Sequence, residues 1–248
     1  MSAAAALLMT GCVHTDRQTG GRVLEDLKVL QKKRIFFGHQ SVGANILEGL
    51  REIEKQHGII LQIDDSLIGV NGDPGSKCED FIRQMEIRAA DTDIALMKFC
   101  YIDFDRTTDL RKLLNLYITT LETLQAEYPG VLFIPATAPL TTRPAAWRRV
   151  VKTILGRSGA ASEISEKRNL FNELVKRHYA SRVVFDIAGV ESGNGTSLLE
   201  EYSDDGSHLN HHGREVSAEN LIHTLATAVR ASTARISPEA SPRVSTAK

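Results

Sequence analysis

Cysteine is scarce: Cys12, Cys78 and Cys100 are the only three in 248 residues. Three cysteines cannot build a disulfide scaffold, and no pair among them has the spacing of a zinc site. Net charge is scarce too. Thirty basic and 31 acidic side chains leave a formal charge of -1, which gives no electrostatic footprint for nucleic acid. The basic stretch 143–157 is the main local exception, and a solvated face accounts for it. No apolar run approaches the roughly 20 residues that span a bilayer. What the chain does have is ordinary for a soluble globular protein: 42% hydrophobic and 25% charged residues. Its length fits one α/β domain or two small ones, with a core large enough to fold without disulfides or metal.

At the N-terminus a short apolar run, Ala3 to Met9, is followed by Thr10-Gly11-Cys12. Small residues before a cysteine, behind an apolar segment, resemble the lipobox of bacterial lipoprotein signals. The resemblance implies a lipidated Cys12 and a place in the bacterial cell envelope, with membrane contact only through that anchor. No Lys or Arg precedes the run, a departure from the positive start of such signals. Without the lipobox the expectation is a cytoplasmic protein. In the envelope Cys78 and Cys100 meet an oxidising compartment; a pair and two buried free thiols both stay open.

From Arg34 onward short apolar runs alternate with longer amphipathic ones. Strands are expected at 34–38, 59–70, 93–102, 131–135 and 182–187. Helices are expected at 42–57, 79–89, 107–128, 146–155, 162–179 and 213–230. The stretch 71–77 is Gly/Pro-rich and reads as a loop. The organisation that follows is an N-terminal signal and linker (1–33), one folded domain (34–230) and a disordered Ser/Pro/Ala-rich tail (231–248). Alternating strands and helices predict a three-layer α/β/α sandwich around a parallel, flavodoxin-like sheet of about five strands. Such sheets bind ligands outside the carboxyl ends of their strands.

The first of those ends carries Gly38-His39-Gln40-Ser41-Val42-Gly43 and runs straight into a helix. A serine there exposes its hydroxyl at the sheet top, and its own N–H belongs to a helix N-terminus that favours a developing oxyanion. Taken alone, Ser41 reads as a helix N-cap. The last strand end changes that reading. It carries Asp204-Asp205-Gly206-Ser207-His208-Leu209-Asn210, and a spacing of three places the Asp205 and His208 side chains on one side. The carboxylate can fix the imidazole tautomer and leave the other ring nitrogen to take a serine proton. The order Ser…Asp…His also occurs in other α/β hydrolytic folds. His211 and His212 beside Asp204 do not make a convincing metal site. Asp64-Asp65 reads as a solvated turn. Trp147 is equally a pocket wall or a packing residue, and Arg143, Arg148 and Arg149 are a polar rim.

These blocks resemble the SGNH (GDSL-like) hydrolase superfamily, in a divergent GHQSVG form. The serine block follows the first strand, and Asp-x-x-His precedes the last helix. Glu166–Glu173 is similar to the Arg/Asn-bearing helix that often stands before the last strand of the family. The resemblance covers about 34–230. It implies a serine esterase with Ser41 as nucleophile, His208 as base and Asp205 as its partner, and it implies no cofactor and no metal. It places the oxyanion donors at the N–H of Ser41 and at Gly72, with Gly75 as the alternative. Two departures stand out. Gln40 precedes the serine where most members have aspartate. Ile102 stands where the family carries an oxyanion-binding asparagine, and isoleucine has no donor. Asn71, His39, Gln40 and Tyr101 are the candidates to replace it or to touch substrate. The family acts on lipid esters, thioesters and O-acetylated sugars, and an envelope location points to O-acetyl groups of a carbohydrate. An O-acetyltransferase of the same fold and a non-catalytic glycan-binding protein are the rivals.

Overall fold

The computed structural model describes the backbone of residues 9–143 and 158–236 and the side chains of 20–143 and 161–234. The expected helix at 146–155, with Trp147, Arg148 and Arg149, lies outside the described residues.

Helix α1 (Met9–Leu30) comes first. It is followed by β1 (Arg34–His39), α2 (Ser41–His57), β2 (Gln62–Leu67), α3 (Pro74–Arg88) and β3 (Ile94–Met97). Then come α4 (Leu110–Glu127), β4 (Leu132–Ile134), α5 (Ser158–His178), α6 (Ile187–Ser192) and α7 (His211–Ile236). The strands are all parallel and lie in the order β2-β1-β3-β4. The fifth expected strand is reduced to a single parallel bridge between Ala136 and Phe185. Pairing stops there because Asp186 turns away to cap α6, accepting from the N–H of Gly189.

Alternation along the strands sorts the core into two layers, as a period of two requires. Ile35, Phe37, Ile94 and Leu96 face one side with Val23 and Leu27 of α1, Ile46 and Leu50 of α2, and Leu221 and Leu225 of α7. Phe36, Ala95, Met97 and Phe133 face the other side with Phe81 of α3, Tyr117 of α4 and Phe171 of α5. The result is the three-layer α/β/α sandwich expected from sequence.

Several boundaries differ from the sequence reading. The segment expected as an N-terminal linker forms α1, whose Val23, Leu27 and Leu30 are buried; their helical spacing makes it part of the domain. Helix α3 starts at Pro74, inside the expected loop, because Asp73 caps it by accepting from Ser76 N–H while Pro74 occupies the first helical position. Helix α7 runs on to Ile236, into the expected tail. Asp64 and Asp65 lie within β2 rather than in a turn after it. Asp64 pairs with Arg88 at 2.6 Å and Asp65 with His39 at 3.0 Å. Charges on this edge strand discourage pairing with another chain. Cys78 and Cys100 are both buried free thiols.

Candidate active site

Helix α2 begins at the nucleophile candidate. Gln40 is its N-cap, and the Gln40 side chain leaves the cap uncovered. It reaches sideways to the carbonyls of Ile68 and Gly69 at 2.7 and 3.2 Å. The first-turn N–H groups of α2, including that of Ser41, are thus available to a negative charge. The turn depends on Gly43: a Cβ there would stand 2.3 Å from the Cβ of His39.

The second half of the site hangs on the loop before α7. His208 Nε2 lies 3.1 Å from Ser41 Oγ. His208 Nδ1 lies 2.6 Å from Asp205 Oδ2. The other carboxylate oxygen, Oδ1, accepts from the N–H groups of Ser207 at 2.7 Å and His208 at 2.8 Å. The N–H of His208, its ring and the N–H of Ser207 hold the Asp205 carboxyl far below the usual carboxylate range. Asp205 therefore stays an acceptor, and an acceptor on Nδ1 leaves Nε2 free to take a proton from the serine. Three residues hold this loop in place. Ser203 Oγ donates to His208 O at 2.6 Å and accepts from Gly206 N–H at 2.9 Å. Asn45 of α2 accepts from Leu209 N–H at 3.2 Å. Thr142 N–H donates to Gly206 O at 2.9 Å.

The loops after β2 and β3 complete the site's floor. Tyr101 sets its ring against His208, with centroids 6.2 Å apart. Asp103 accepts from the N–H of Gly72 at 2.9 Å and of Cys100 at 2.7 Å, joining the two loops. Lys77 lies on the same carboxylate at 2.6 Å, both side chains fully buried.

A second buried group of charges lies behind Tyr101. Arg168 of α5 donates to Tyr101 O at 3.4 Å and to Thr141 Oγ1 at 2.9 Å. Burial pushes the Glu191 carboxyl up to about 8 and the Arg168 guanidinium down to about 10. Burial also lowers Lys98, whose Nζ is 3.8 Å from Cys100 Sγ. Glu191 Oε2 accepts from Leu140 N–H, while Oε1 and Arg168 Nε have no hydrogen-bond partner among the described residues.

Four sequence expectations change here. His39 is not open to substrate: it is buried, and its two nitrogens meet Gln40 O at 2.9 Å and Asp65 at 3.0 Å. Gln40 has its amide hydrogens committed to Ile68 and Gly69. Gly72 is not a free oxyanion donor, because Asp103 already accepts from it. Gly75 sits in the first turn of α3. Tyr101 remains against His208, Asn71 is exposed with its Oδ1 on Lys77, and Ser41, His208 and Asp205 stand together. Among the described residues no cluster of potential metal ligands occurs; His211 pairs with Glu52, and His212 meets the Tyr202 ring edge to face.

Neither a protein-family model nor a curated sequence matches this chain. Solved structures do. One is a carbohydrate esterase family 3 protein from Talaromyces cellulolyticus, 14% identical, with a TM-score of 0.52 over 81% of this chain and 99% of that one. Another is the periplasmic domain of a lipopolysaccharide acetyltransferase from Salmonella ser. Paratyphi A, 15% identical, with a TM-score of 0.52 over 78% and 84%. The chain thus shares their α/β/α fold, at identities that speak to fold alone.

Proposed function

We propose that the chain is a serine hydrolase of the SGNH type that cleaves a carboxylic ester, with O-acetyl groups of an envelope or extracellular carbohydrate as substrate. The observation that carries this reading is the continuous relay from Ser41 Oγ through His208 to Asp205, at 3.1 and 2.6 Å. Ser41 Oγ attacks the ester carbonyl while His208 Nε2 takes its proton. Asp205 holds the other side of the ring and stabilises the imidazolium. The oxyanion meets the Ser41 N–H at the start of α2. His208 then returns the proton to the leaving alcohol, and a water, deprotonated by the same nitrogen, frees the acid from the acyl-enzyme.

The openness of the site favours hydrolysis over transfer. The His208 and Asp205 side chains are 41% and 55% exposed, so water reaches the acyl-enzyme. A transferase has to keep water out. The carbohydrate substrate rests on the two fold neighbours and on the lipobox-like Cys12, which we propose as an envelope anchor; cleavage before Cys12 keeps Val23, Asp26, Leu27 and Leu30, the buried residues among the described side chains of α1. Ile102, with no donor, favours the rival reading of a non-catalytic glycan-binding protein.

Intact mass after treatment with a fluorophosphonate tests the reading. One adduct is expected on the parent and none on Ser41→Ala or His208→Ala. No adduct on the parent refutes it.

A further inference from the structure

We propose that Asn71 supplies the oxyanion donor that Ile102 lacks, and that the buried Lys77–Asp103 pair positions it. The proposal rests on the serine-hydrolase reading above and adds the group that completes its oxyanion site.

The loop after β2 begins beside the nucleophile. Leu67, the last residue of β2, is in register with His39 of β1. Gln40, next to Ser41, grips the carbonyls of Ile68 and Gly69. In the loop itself nearly every backbone donor is used. Gly69 N–H goes to Asp80, Val70 N–H to Ser76 Oγ, Gly72 N–H to Asp103 and Asp73 N–H to Val70 O. Among the described residues, none accepts from the N–H or the side-chain amide of Asn71. Asn71 is exposed, so these donors are open to a ligand.

The orientation of that amide is chemically fixed. Lys77 Nζ lies 3.2 Å from Asn71 Oδ1. An ammonium has donors only, so the oxygen of Asn71 must face it and the NH₂ must face away. Lys77 cannot drift. It also donates to both oxygens of Asp103, at 2.7 and 2.6 Å, and both side chains are fully buried. Asp103 in turn binds the N–H groups of Gly72 and Cys100, so the pair locks the loop after β2 to the turn after β3. Burying two charges is costly, and here it fixes the two loops that flank Ser41 and His208. Ile102, in the turn after β3, is 52% exposed and offers nothing to an oxyanion.

The test uses the full chain, 4-nitrophenyl acetate turnover and fluorophosphonate labelling. Asn71→Ala removes the donor. Asn71→Asp keeps the acceptor for Lys77, removes the donor and adds a negative charge, so Asn71→Ala reads the loss of the donor without that charge. Both are expected to lower kcat about 10²–10³-fold, with KM within about threefold and both variants folded. The Asp variant is expected to melt no lower than the Ala variant, since its contact with Lys77 survives. Lys77→Met is expected to lower kcat with little change in KM; should it fail to fold, the Asn71 pair, at an exposed position, decides. An Asn71→Asp variant with near-parental kcat overturns the proposal, as does a comparable loss in Tyr101→Phe with none at Asn71. A parent that neither turns over nor labels removes the serine reading, a separate result that takes this proposal with it.

Discussion

Replacing Asp205 by asparagine isolates the tautomer argument. The present carboxylate has two separate duties. Oδ1 accepts from Ser207 and His208 backbone N–H groups, and Oδ2 accepts from the His208 ring. Asparagine has one oxygen. Two backbone donors claim it, so the new NH₂ turns toward His208 Nδ1 and donates to it. The imidazole must then carry its proton on Nε2, the nitrogen 3.1 Å from Ser41 Oγ, and cannot accept from the serine. The loop keeps its backbone bonds, so folding is preserved. Turnover is expected to fall about 10⁴-fold, which corresponds to about 5.5 kcal/mol of lost transition-state stabilisation. Steady-state kcat and KM on 4-nitrophenyl acetate, beside a thermal melt, read both sides of the argument. Because donors on Asp205 hold its carboxyl far below the usual range, its contribution to stability is present above the unfolded-state value and is lost only as pH falls through the depressed one. Loss of activity above pH 4 therefore does not come from Asp205. A variant within tenfold of the parent in kcat would refute the assignment.

Other expectations follow from the buried groups. Glu191 keeps its proton in the fold up to about 8, against 4.5 when unfolded, so the folded state binds the extra proton in that window. Stability should decline as pH rises from about 4.5 to 8, and urea unfolding of Glu191→Gln should show a flatter profile; an unchanged slope contradicts this. Tyr117 Oη accepts from Ala136 N–H at 2.8 Å in the fully buried core. Tyr117→Phe orphans that N–H and should cost about 1–3 kcal/mol by denaturant titration, with kcat per folded molecule unchanged. Burial pushes the Cys78 thiol up to about 11, so iodoacetamide at pH 8 should leave Cys78 unmodified in the native protein and modify it in urea, as peptide mass mapping would show. Cys12→Ala should abolish incorporation of labelled palmitate in a bacterial host; unchanged labelling removes the anchor.

The layers were legible because short apolar runs, the mark of strands buried on both faces, alternate with longer amphipathic stretches. Ile35 and Phe37 part from Phe36, and Ile94 and Leu96 part from Ala95 and Met97. Residue type and spacing also marked out Ser41, Asp205 and His208. What could not be read were partners far apart in sequence. His39 and Gln40 sit beside the serine and looked like substrate contacts, yet their partners are Asp65, Ile68 and Gly69 on the neighbouring strand and its loop. Gly72 has the right local form for an oxyanion donor, but Asp103, 31 residues away, takes its N–H. Lys98, buried one residue past the end of β3, lies inside the apolar run 93–102, and that apolar pattern concealed the charged core behind the site. Helix α1 was not legible because its signal-like start makes residues 1–33 read as a signal and linker, although Val23, Leu27 and Leu30 keep helical spacing.

Ser41 and His208 are separated by 167 residues, and α7, which follows the histidine, packs against both α1 and α2. On the serine-hydrolase reading proposed above, a ribosome thus releases the nucleophile long before its base. Throughout synthesis, and through any passage across a membrane in an unfolded state, the serine is an ordinary alcohol. The reactivity proposed for it would then arrive late, together with the helix that packs on α1 and α2.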